Sequence, residues 1–171
     1  DAKRLGRAGA LSYAAESNLK EVTLEMGGKN PAIVLDDAEH LDRVAAHVVN
    51  GAFWNMGENC SAASRLIVHR DVKEALIERV RAHAREWVVG DPLDPETRVG
   101  ALVSRAHFDK VRGYLGRAAK GDVLIGGSEI GGAFVEPTVI DVRDPESPLL
   151  REEIFGPILS VVTVSSFEEA I

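Results

Sequence analysis

Residues 31–52, with the sequence PAIVLDDAEHLDRVAAHVVNGA, contain the pattern that decides the fold. The first five residues are apolar throughout, which predicts a short strand covered on both faces. Apolar side chains then recur at steps of four, three and four residues, which predicts a helix with one buried face and with Asp37 as its N-cap. These side chains are Leu41, Ala45, Val48 and Ala52. A strand followed directly by an amphipathic helix is the repeating unit of an α/β fold.

Similar units lie on both sides of this stretch. Further short strands are predicted at residues 22–24, 66–68, 123–125, 134–142 and 158–164. Further helices are predicted at about 2–15, 71–87 and 108–118, with Asp1 capping the first, Asp71 and Glu74 forming a capping box on the second, and Ser166 capping one that begins at the end of the sequence. The alternation predicts an α/β fold, a mostly parallel open sheet with helices on both faces.

Composition narrows the class of protein. The 171 residues carry a formal net charge of −7, and 45% of them are hydrophobic. This is typical of one folded, soluble domain, and the acidic balance argues against nucleic-acid binding. No apolar run approaches the roughly 20 residues of a membrane span, and no heptad or biased tract indicates a coiled coil or collagen.

The cysteine and histidine pattern argues against a disulfide or a metal centre. Cys60 is the single cysteine, so it has no partner within the sequence for a disulfide. The five histidines are scattered, and none has zinc-site spacing with Cys60. The carboxylates form no calcium-loop pattern. We therefore expect no metal.

Two single residues are candidates for chemistry. Cys60 lies among small and polar residues, which is unusual for a buried filler cysteine and favours a nucleophilic thiolate, although a lone cysteine is more often inert. Glu25 follows the strand predicted at 22–24 and precedes Gly27, at a strand end where ligands bind in open α/β sheets. Partial burial would raise its pKa and let it act as a general base. The alternative is a solvated turn with Lys29 offsetting the charge.

A third candidate is the segment 151–157, REEIFGP. Its acids could bind a hydroxylated ligand, and Phe155 could offer an aromatic face to a flat ring. The alternative is an ordinary acidic loop that enters the strand beginning at Ile158.

Taken together, three segments resemble the signature motifs of the aldehyde dehydrogenase superfamily, in the same order. They are residues 24–31 (LEMGGKNP), 57–65 (GENCSAASR) and 152–157 (EEIFGP). The resemblance covers essentially the whole chain and implies the catalytic domain of that family. Residues 16–18 and 90–95 also resemble aminoaldehyde-oxidising members, such as the γ-glutamyl-aminobutyraldehyde type.

The resemblance implies a role for each site residue. Cys60 would attack the aldehyde carbon to give a thiohemiacetal and then a thioester, and Glu25 would activate the water that hydrolyses it. Glu153 would hydrogen-bond the nicotinamide ribose, Phe155 would pack near the nicotinamide ring, and Gly27 would leave room for cofactor and substrate. The implied cofactor is NAD, with NADP as the alternative, and the implied partner is a small-molecule aldehyde.

The resemblance also implies the setting of these residues. Residues 1–20 would be the C-terminal end of the cofactor-binding domain, and residues 21–171 a catalytic domain incomplete at its C-terminus. Because the sequence starts at Asp1 and stops as a helix begins, we expect it to be cut from a longer cytoplasmic enzyme, a homodimer or homotetramer, and to be inactive alone.

Two departures from the family pattern leave other functions open. Glu58 stands where the family usually has Gln, and a carboxylate close to Cys60 would disfavour the thiolate. Ala63 stands where Gly is common, which is tolerable unless the backbone needs a positive φ. One alternative is a cysteine hydrolase that pairs Cys60 with His69 or His83. The other is an inactive structural or binding module.

Overall fold

The computed structural model describes residues 2–118 and 122–171, and of these the side chains of residues 2–7 and 129 are not described. The expected Asp1 cap therefore lies outside the described residues. The α-helices are α1 (Ala2–Glu16), α2 (Leu41–Phe53), α3 (Arg70–Ala84), α4 (Arg105–Leu115), α5 (Pro148–Arg151) and α6 (Phe167–Ala170). The strands are β1 (Pro31–Val34), β2 (Arg65–His69), β3 (Val123–Ile125), β4 (Glu129–Gly131), β5 (Phe134–Val135), β6 (Thr138–Asp141) and β7 (Ile158–Val164). None of the described helices is both long and apolar enough to span a membrane.

The main sheet has the order β1-β2-β7-β6-β3. The three pairings that join β1, β2, β7 and β6 are parallel, and only β3 runs antiparallel to its neighbour. Helices α2 and α3 pack on one face around Leu66, and α4 and α5 pack on the other face around Ile158. The predicted α/β class, with a mostly parallel sheet between helices, is confirmed.

Two strand predictions are wrong, for reasons that lie in the sheet order. Residues 22–24 form no strand, and the whole segment 19–30 lacks regular structure among the described residues. A short segment without a neighbouring strand has no ladder partner for its backbone N–H and C=O groups. Strand β1 is not covered on both faces, because it lies at the sheet edge and Ile33 is 43% exposed.

The helix caps also differ in part from the prediction. Asp37 lies in a turn, and α2 follows His40, which has a φ of 53° and makes no side-chain cap. Helix α3 is capped by His69, whose ring accepts a hydrogen bond from the Asp71 N–H, so the predicted capping box is wrong. The Ser166 cap is confirmed, since its hydroxyl accepts from the Glu169 N–H.

The strand predicted over 134–142 divides into β5 and β6. Pro137 lies between the two strands and has no N–H to donate to a ladder. Strand β5 pairs with β4 in a separate hairpin, while β6 joins the main sheet.

Replacing Leu66 by Ala tests the core of this sheet. Leu66 is fully buried in β2, an interior strand of the sheet, so we expect Leu66→Ala to lower the free energy of unfolding by about 2–5 kcal/mol. Leu93→Ala is the matched control, because Leu93 is 90% exposed. Urea unfolding of both variants measures the difference, and equal losses would contradict the packing described here.

Candidate active site

The three motif segments meet because of the sheet order. Residues 25–30 precede β1, residues 57–64 precede β2 and residues 152–157 precede β7. Strands β1, β2 and β7 are adjacent and parallel, so their amino ends lie side by side. They form one edge of the sheet, the edge at which the strands begin. The expectation that Glu25 ends a strand is therefore wrong, and the motifs meet at the amino ends of strands.

At this edge lies an open cavity of about 550 Å³. All five site residues predicted from the sequence line it: Glu25, Gly27, Cys60, Glu153 and Phe155. The remaining lining residues are Met26, Glu58, Asn59, His107 and Lys110. The fold therefore gathers the predicted set into one place, and it adds His107 and Lys110 from α4.

Cys60 lies on a strained loop after α2. Asn55 and Met56 have positive φ values of 53° and 57°, and Gly57 follows with 68°. The Cys60 side chain is exposed, and its Sγ lies 4.0 Å from the Asn59 side-chain oxygen. A loop of this kind presents the thiol to solvent rather than burying it as packing.

A hydrogen bond and a close approach join the Cys60 loop to the Glu25 segment. The Cys60 carbonyl accepts a hydrogen bond of 3.0 Å from the Asn30 side-chain amide. A Cβ atom on Gly28 would overlap the same carbonyl oxygen, so a larger residue at 28 would push the two segments apart. Glycine at this position is what permits the contact.

Glu153 joins the third motif to the first. Its Oε1 accepts a hydrogen bond of 2.9 Å from the Gly28 N–H. A Cβ on Gly27 would overlap Glu153 Oε2. In this structure, the space left by Gly27 therefore holds the Glu153 carboxylate, and its predicted use by cofactor and substrate stays a prediction.

Phe155 adopts the left-handed conformation, with a φ of 60°, that residues with a side chain seldom adopt. Its carbonyl accepts a hydrogen bond from His107 Nε2, and the two rings meet edge-on at 5.9 Å. Lys110 donates to the Glu153 carbonyl at 2.9 Å. The sequence analysis missed both α4 residues, and their spacing of three on the helix was the one signal available.

Glu58 and Ala63, the two departures from the family pattern, both fit their surroundings. The Glu58 carboxylate accepts from the Val103 N–H at 3.1 Å and lies 3.3 Å from His107 Nε2, so it is engaged by the start of α4. Ala63 is not among the described residues with positive φ, so it fits its backbone without strain.

The histidines proposed for a hydrolase lie elsewhere. His69 Nε2 donates to the Ser165 carbonyl at 3.0 Å, and His83 pairs with Asp42 at 3.1 Å. Within residues 2–118 and 122–171, no histidine hydrogen-bonds to Cys60, so the contact that this hypothesis requires is missing there.

One group of described side chains has metal-ligand proximity. Potential ligand atoms of Asp36, His69 and Asp71 lie within 4.8 Å of one another. Both His69 ring nitrogens are already engaged, one by the Ser165 carbonyl and the other by the Asp71 N–H. His69 and Asp71 therefore form the start of α3, and His69 has no unengaged ring nitrogen to offer a metal ion.

Lys29 is the most perturbed group near the cavity. Burial, reinforced by repulsion from Arg65, lowers its pKa from 10.5 to about 8, although Glu153 and Glu152 oppose the shift. Its Nζ is buried and has no hydrogen-bond partner among the described residues. Because the Lys29 ammonium group is buried, Lys29 does not lie in a solvated turn where it could offset the charge of Glu25.

Comparison with known proteins identifies the family. The model of the aldehyde dehydrogenase family matches residues 6–171. The chain belongs to the aldehyde dehydrogenase family. A relative, the aminoacetaldehyde dehydrogenase of Pseudomonas aeruginosa PAO1, is 64% identical over 163 residues, which are 94% of this chain and 33% of that protein.

Solved aldehyde dehydrogenases share the fold. The γ-glutamyl-γ-aminobutyraldehyde dehydrogenase of Burkholderia cenocepacia J2315 superposes with a TM-score of 0.86 at 47% identity, over 94% of this chain and 34% of that one. An indole-3-acetaldehyde dehydrogenase of P. syringae, in complex with NAD⁺ and IAA, gives 0.85 at 41%, with the same coverage. The chain thus spans about one third of the length of these relatives.

Replacing Gly28 by Ala tests the contact between the first two motifs. The new Cβ would meet the Cys60 carbonyl, so we expect a loss of about 1–3 kcal/mol in the free energy of unfolding and an altered rate of Cys60 alkylation by iodoacetamide. Gly113→Ala is the control, because a Cβ there would meet no atom of the described residues within 4 Å. Wild-type values for Gly28→Ala would contradict the contact.

Replacing Lys29 by Met tests the buried ammonium group. Because the folded-state pKa of about 8 lies below the ordinary 10.5, the unfolded chain binds more protons between these pH values, and wild-type stability rises with pH in that window. We expect Lys29→Met to be more stable than wild type at pH 7, with a difference that shrinks between pH 8 and 10.5. Urea unfolding across this range measures it.

Lys20→Met, at an exposed lysine, controls for the loss of one positive charge. If Lys29→Met is less stable than wild type at pH 7, the burial cost assigned to Lys29 is wrong.

Proposed function

We propose that the protein containing these residues is an NAD-dependent aldehyde dehydrogenase that oxidises a small aminoaldehyde to the amino acid. The observation that carries the proposal is the cavity shared by Cys60, Glu25 and Glu153, which lie in three separate motifs. Family membership supports aldehyde oxidation as the reaction class.

The proposed reaction divides the oxidation into two covalent stages at Cys60. The thiolate attacks the aldehyde carbon and forms a thiohemiacetal, whose oxyanion the Cys60 backbone N–H stabilises. Loss of hydride from the same carbon leaves a thioester on Cys60. The chemistry that bound NAD supplies is acceptance of this hydride. Glu25 then takes a proton from water, the hydroxide oxygen attacks the thioester, and the Cys60 thiolate leaves as the carboxylic acid forms.

The residues of the cavity suit a nicotinamide cofactor. Gly27 and Gly28 let Glu153 and the Cys60 loop approach each other at the cavity, which a Cβ at either position would prevent. Glu153 Oε1 is engaged by the Gly28 N–H, and Oε2 is the oxygen that could accept from a ribose hydroxyl. The half-buried Phe155 ring offers an apolar face beside it. A solved relative that carries NAD⁺ supports the choice of cofactor.

The choice of an aminoaldehyde rests on two observations. The relatives with 64% and 47% identity are named for aminoacetaldehyde and γ-glutamyl-γ-aminobutyraldehyde. Among the described residues that line the cavity, three are carboxylates, Glu25, Glu58 and Glu153, and one is a lysine, Lys110. A net negative lining favours a substrate with a protonated amine.

Replacing the two proposed catalytic residues tests the mechanism in the full-length protein. We expect Cys60→Ala to form no NADH from aldehyde and NAD. We expect Glu25→Gln to retain a burst of about one NADH per site, because hydride loss precedes the step that Glu25 assists, and to slow steady turnover by about 10²–10⁴-fold. Stopped-flow absorbance measures both phases, and Glu86→Gln, at an exposed glutamate that does not line the cavity, is the control.

Three further outcomes distinguish the alternatives. Faster turnover of aminoacetaldehyde than of octanal supports the substrate class, and the reverse contradicts it. Ester hydrolysis without aldehyde oxidation indicates the cysteine hydrolase. No turnover, with iodoacetamide labelling no faster than that of a free cysteine, indicates the inactive module.

Residues 1–171 alone, assayed in parallel, are expected to form no NADH, because they span about one third of the relatives' length.

A further inference from the structure

One face of α4 contacts four residues of the third motif, Glu152, Glu153, Phe155 and Gly156. His107 Nε2 donates to the Phe155 carbonyl, Lys110 Nζ to the Glu153 carbonyl and the Tyr114 hydroxyl to the Glu152 carboxylate. Val111 packs against Gly156, where a Cβ would lie 2.8 Å from Val111 Cγ2. These four α4 residues follow the spacing i, i+3, i+4 and i+7, so they form a single stripe on the helix.

The start of the same helix is attached to the Cys60 loop through Glu58. Glu58 Oε1 accepts from the Val103 N–H at 3.1 Å and faces His107 Nε2 at 3.3 Å. Both side chains are largely buried, with Glu58 8% and His107 14% exposed. A carboxylate at a helix N-terminus is also favoured by the helix dipole. Glu58 therefore links α4 to a loop that carries the cysteine two residues later.

His107 is the residue common to both attachments. The Nε2 atom that faces the Glu58 carboxylate is also the atom that donates to the Phe155 carbonyl. Two acceptors at one nitrogen require that Nε2 carry the proton. The Phe155 carbonyl by itself already requires this tautomer, and the Glu58 carboxylate beside the same nitrogen favours it as well.

Phe155 needs such support. A residue with a side chain keeps a φ near 60° only where its surroundings enforce it. Gly156, the residue after Phe155, is constrained by its close approach to Gly57. A Cβ on Gly57 would overlap the Gly156 carbonyl oxygen. The His107 hydrogen bond is the described contact that acts on the Phe155 backbone itself.

We propose that His107, oriented by Glu58, is a positioning residue that fixes the Phe155 turn relative to the Cys60 loop and so sets the cofactor-binding geometry. The effect on the cofactor rests on the proposed function, whereas the structural link does not.

The first experiment measures the link itself, in the full-length protein. The amides of Glu152 and Ile158 donate to the Pro148 and Gly156 carbonyls, so hydrogen exchange of peptides covering 150–158 reports on this segment. We expect His107→Leu to speed that exchange by roughly fivefold to tenfold, because one hydrogen bond is lost. We expect His107→Gln, which keeps a donor, to restore most of the protection.

His83→Leu is the matched control, because His83 also pairs with a carboxylate, that of Asp42, away from the cavity. It should leave exchange at 150–158 unchanged. Wild-type exchange in His107→Leu, or equal exchange in the Leu and Gln variants, would overturn the proposal.

Glu58 supplies a second pair of variants, which also serves if His107→Leu does not fold. Glu58→Ala removes the carboxylate that orients His107, so we expect faster exchange at 150–158 and a changed rate of Cys60 alkylation. Glu58→Gln keeps an acceptor oxygen for the Val103 N–H and should lie close to wild type. Equal behaviour of Glu58→Ala and wild type would overturn the role of Glu58.

The second experiment measures the consequence for the cofactor. We expect His107→Leu to raise the Kd for NAD, by calorimetry, and the KM for NAD by the same roughly fivefold to tenfold factor, with kcat changed less than about twofold. A lower kcat with unchanged Kd would overturn the positioning role. If wild type binds no NAD, the proposed function fails, and the exchange experiment still decides whether the link exists.

Discussion

The parallel pairing of β1, β2 and β7 is the constraint on which the site depends. Each strand is entered from one of the three motif segments, and parallel register brings all three entries to the same edge of the sheet. An antiparallel partner at any of these positions would carry its motif to the opposite edge. The site residues themselves supply little of the energy that gathers them, because the ladder hydrogen bonds and the apolar faces around Leu66 and Ile158 hold the strands in order.

Once the three segments meet, the distances between them depend on glycines, which have no side chain to hold the backbones apart. Gly28 admits the Cys60 carbonyl, Gly27 admits the Glu153 carboxylate and Gly57 admits the Gly156 carbonyl. Each of the three approaches joins two of the motif segments. Glycine pairs in such loops are usually attributed to flexibility, but here they permit close and well-defined contacts between loops. Hydrogen bonds then fix the contacts, above all the one from the Gly28 N–H to Glu153.

The sequence predicts the α/β class and the membership of the site because both depend on local patterns. The period of apolar residues identifies helices such as α2, and three ordered motifs identify the cavity residues. It fails where the answer depends on a neighbour. Whether residues 22–24 pair is decided by the sheet order, and whether His69 or Asp71 caps α3 is decided by how β2 leads into the helix. His107 lies outside the three motifs, and its hydrogen bond to the Phe155 carbonyl is what assigns it to the site.

The departure at Glu58 shows why a motif residue and its surroundings form one unit. A carboxylate that is only 8% exposed loses most of its hydration and is tolerated only when other groups replace the water. Here the Val103 N–H, the His107 ring and the start of α4 take the place of that water. The Glu58 carboxylate therefore faces the start of the helix. The same carboxylate faces the His107 nitrogen that donates to the Phe155 carbonyl. A carboxylate that would be a liability beside a nucleophilic cysteine thereby becomes a connection between the cysteine loop and the third motif.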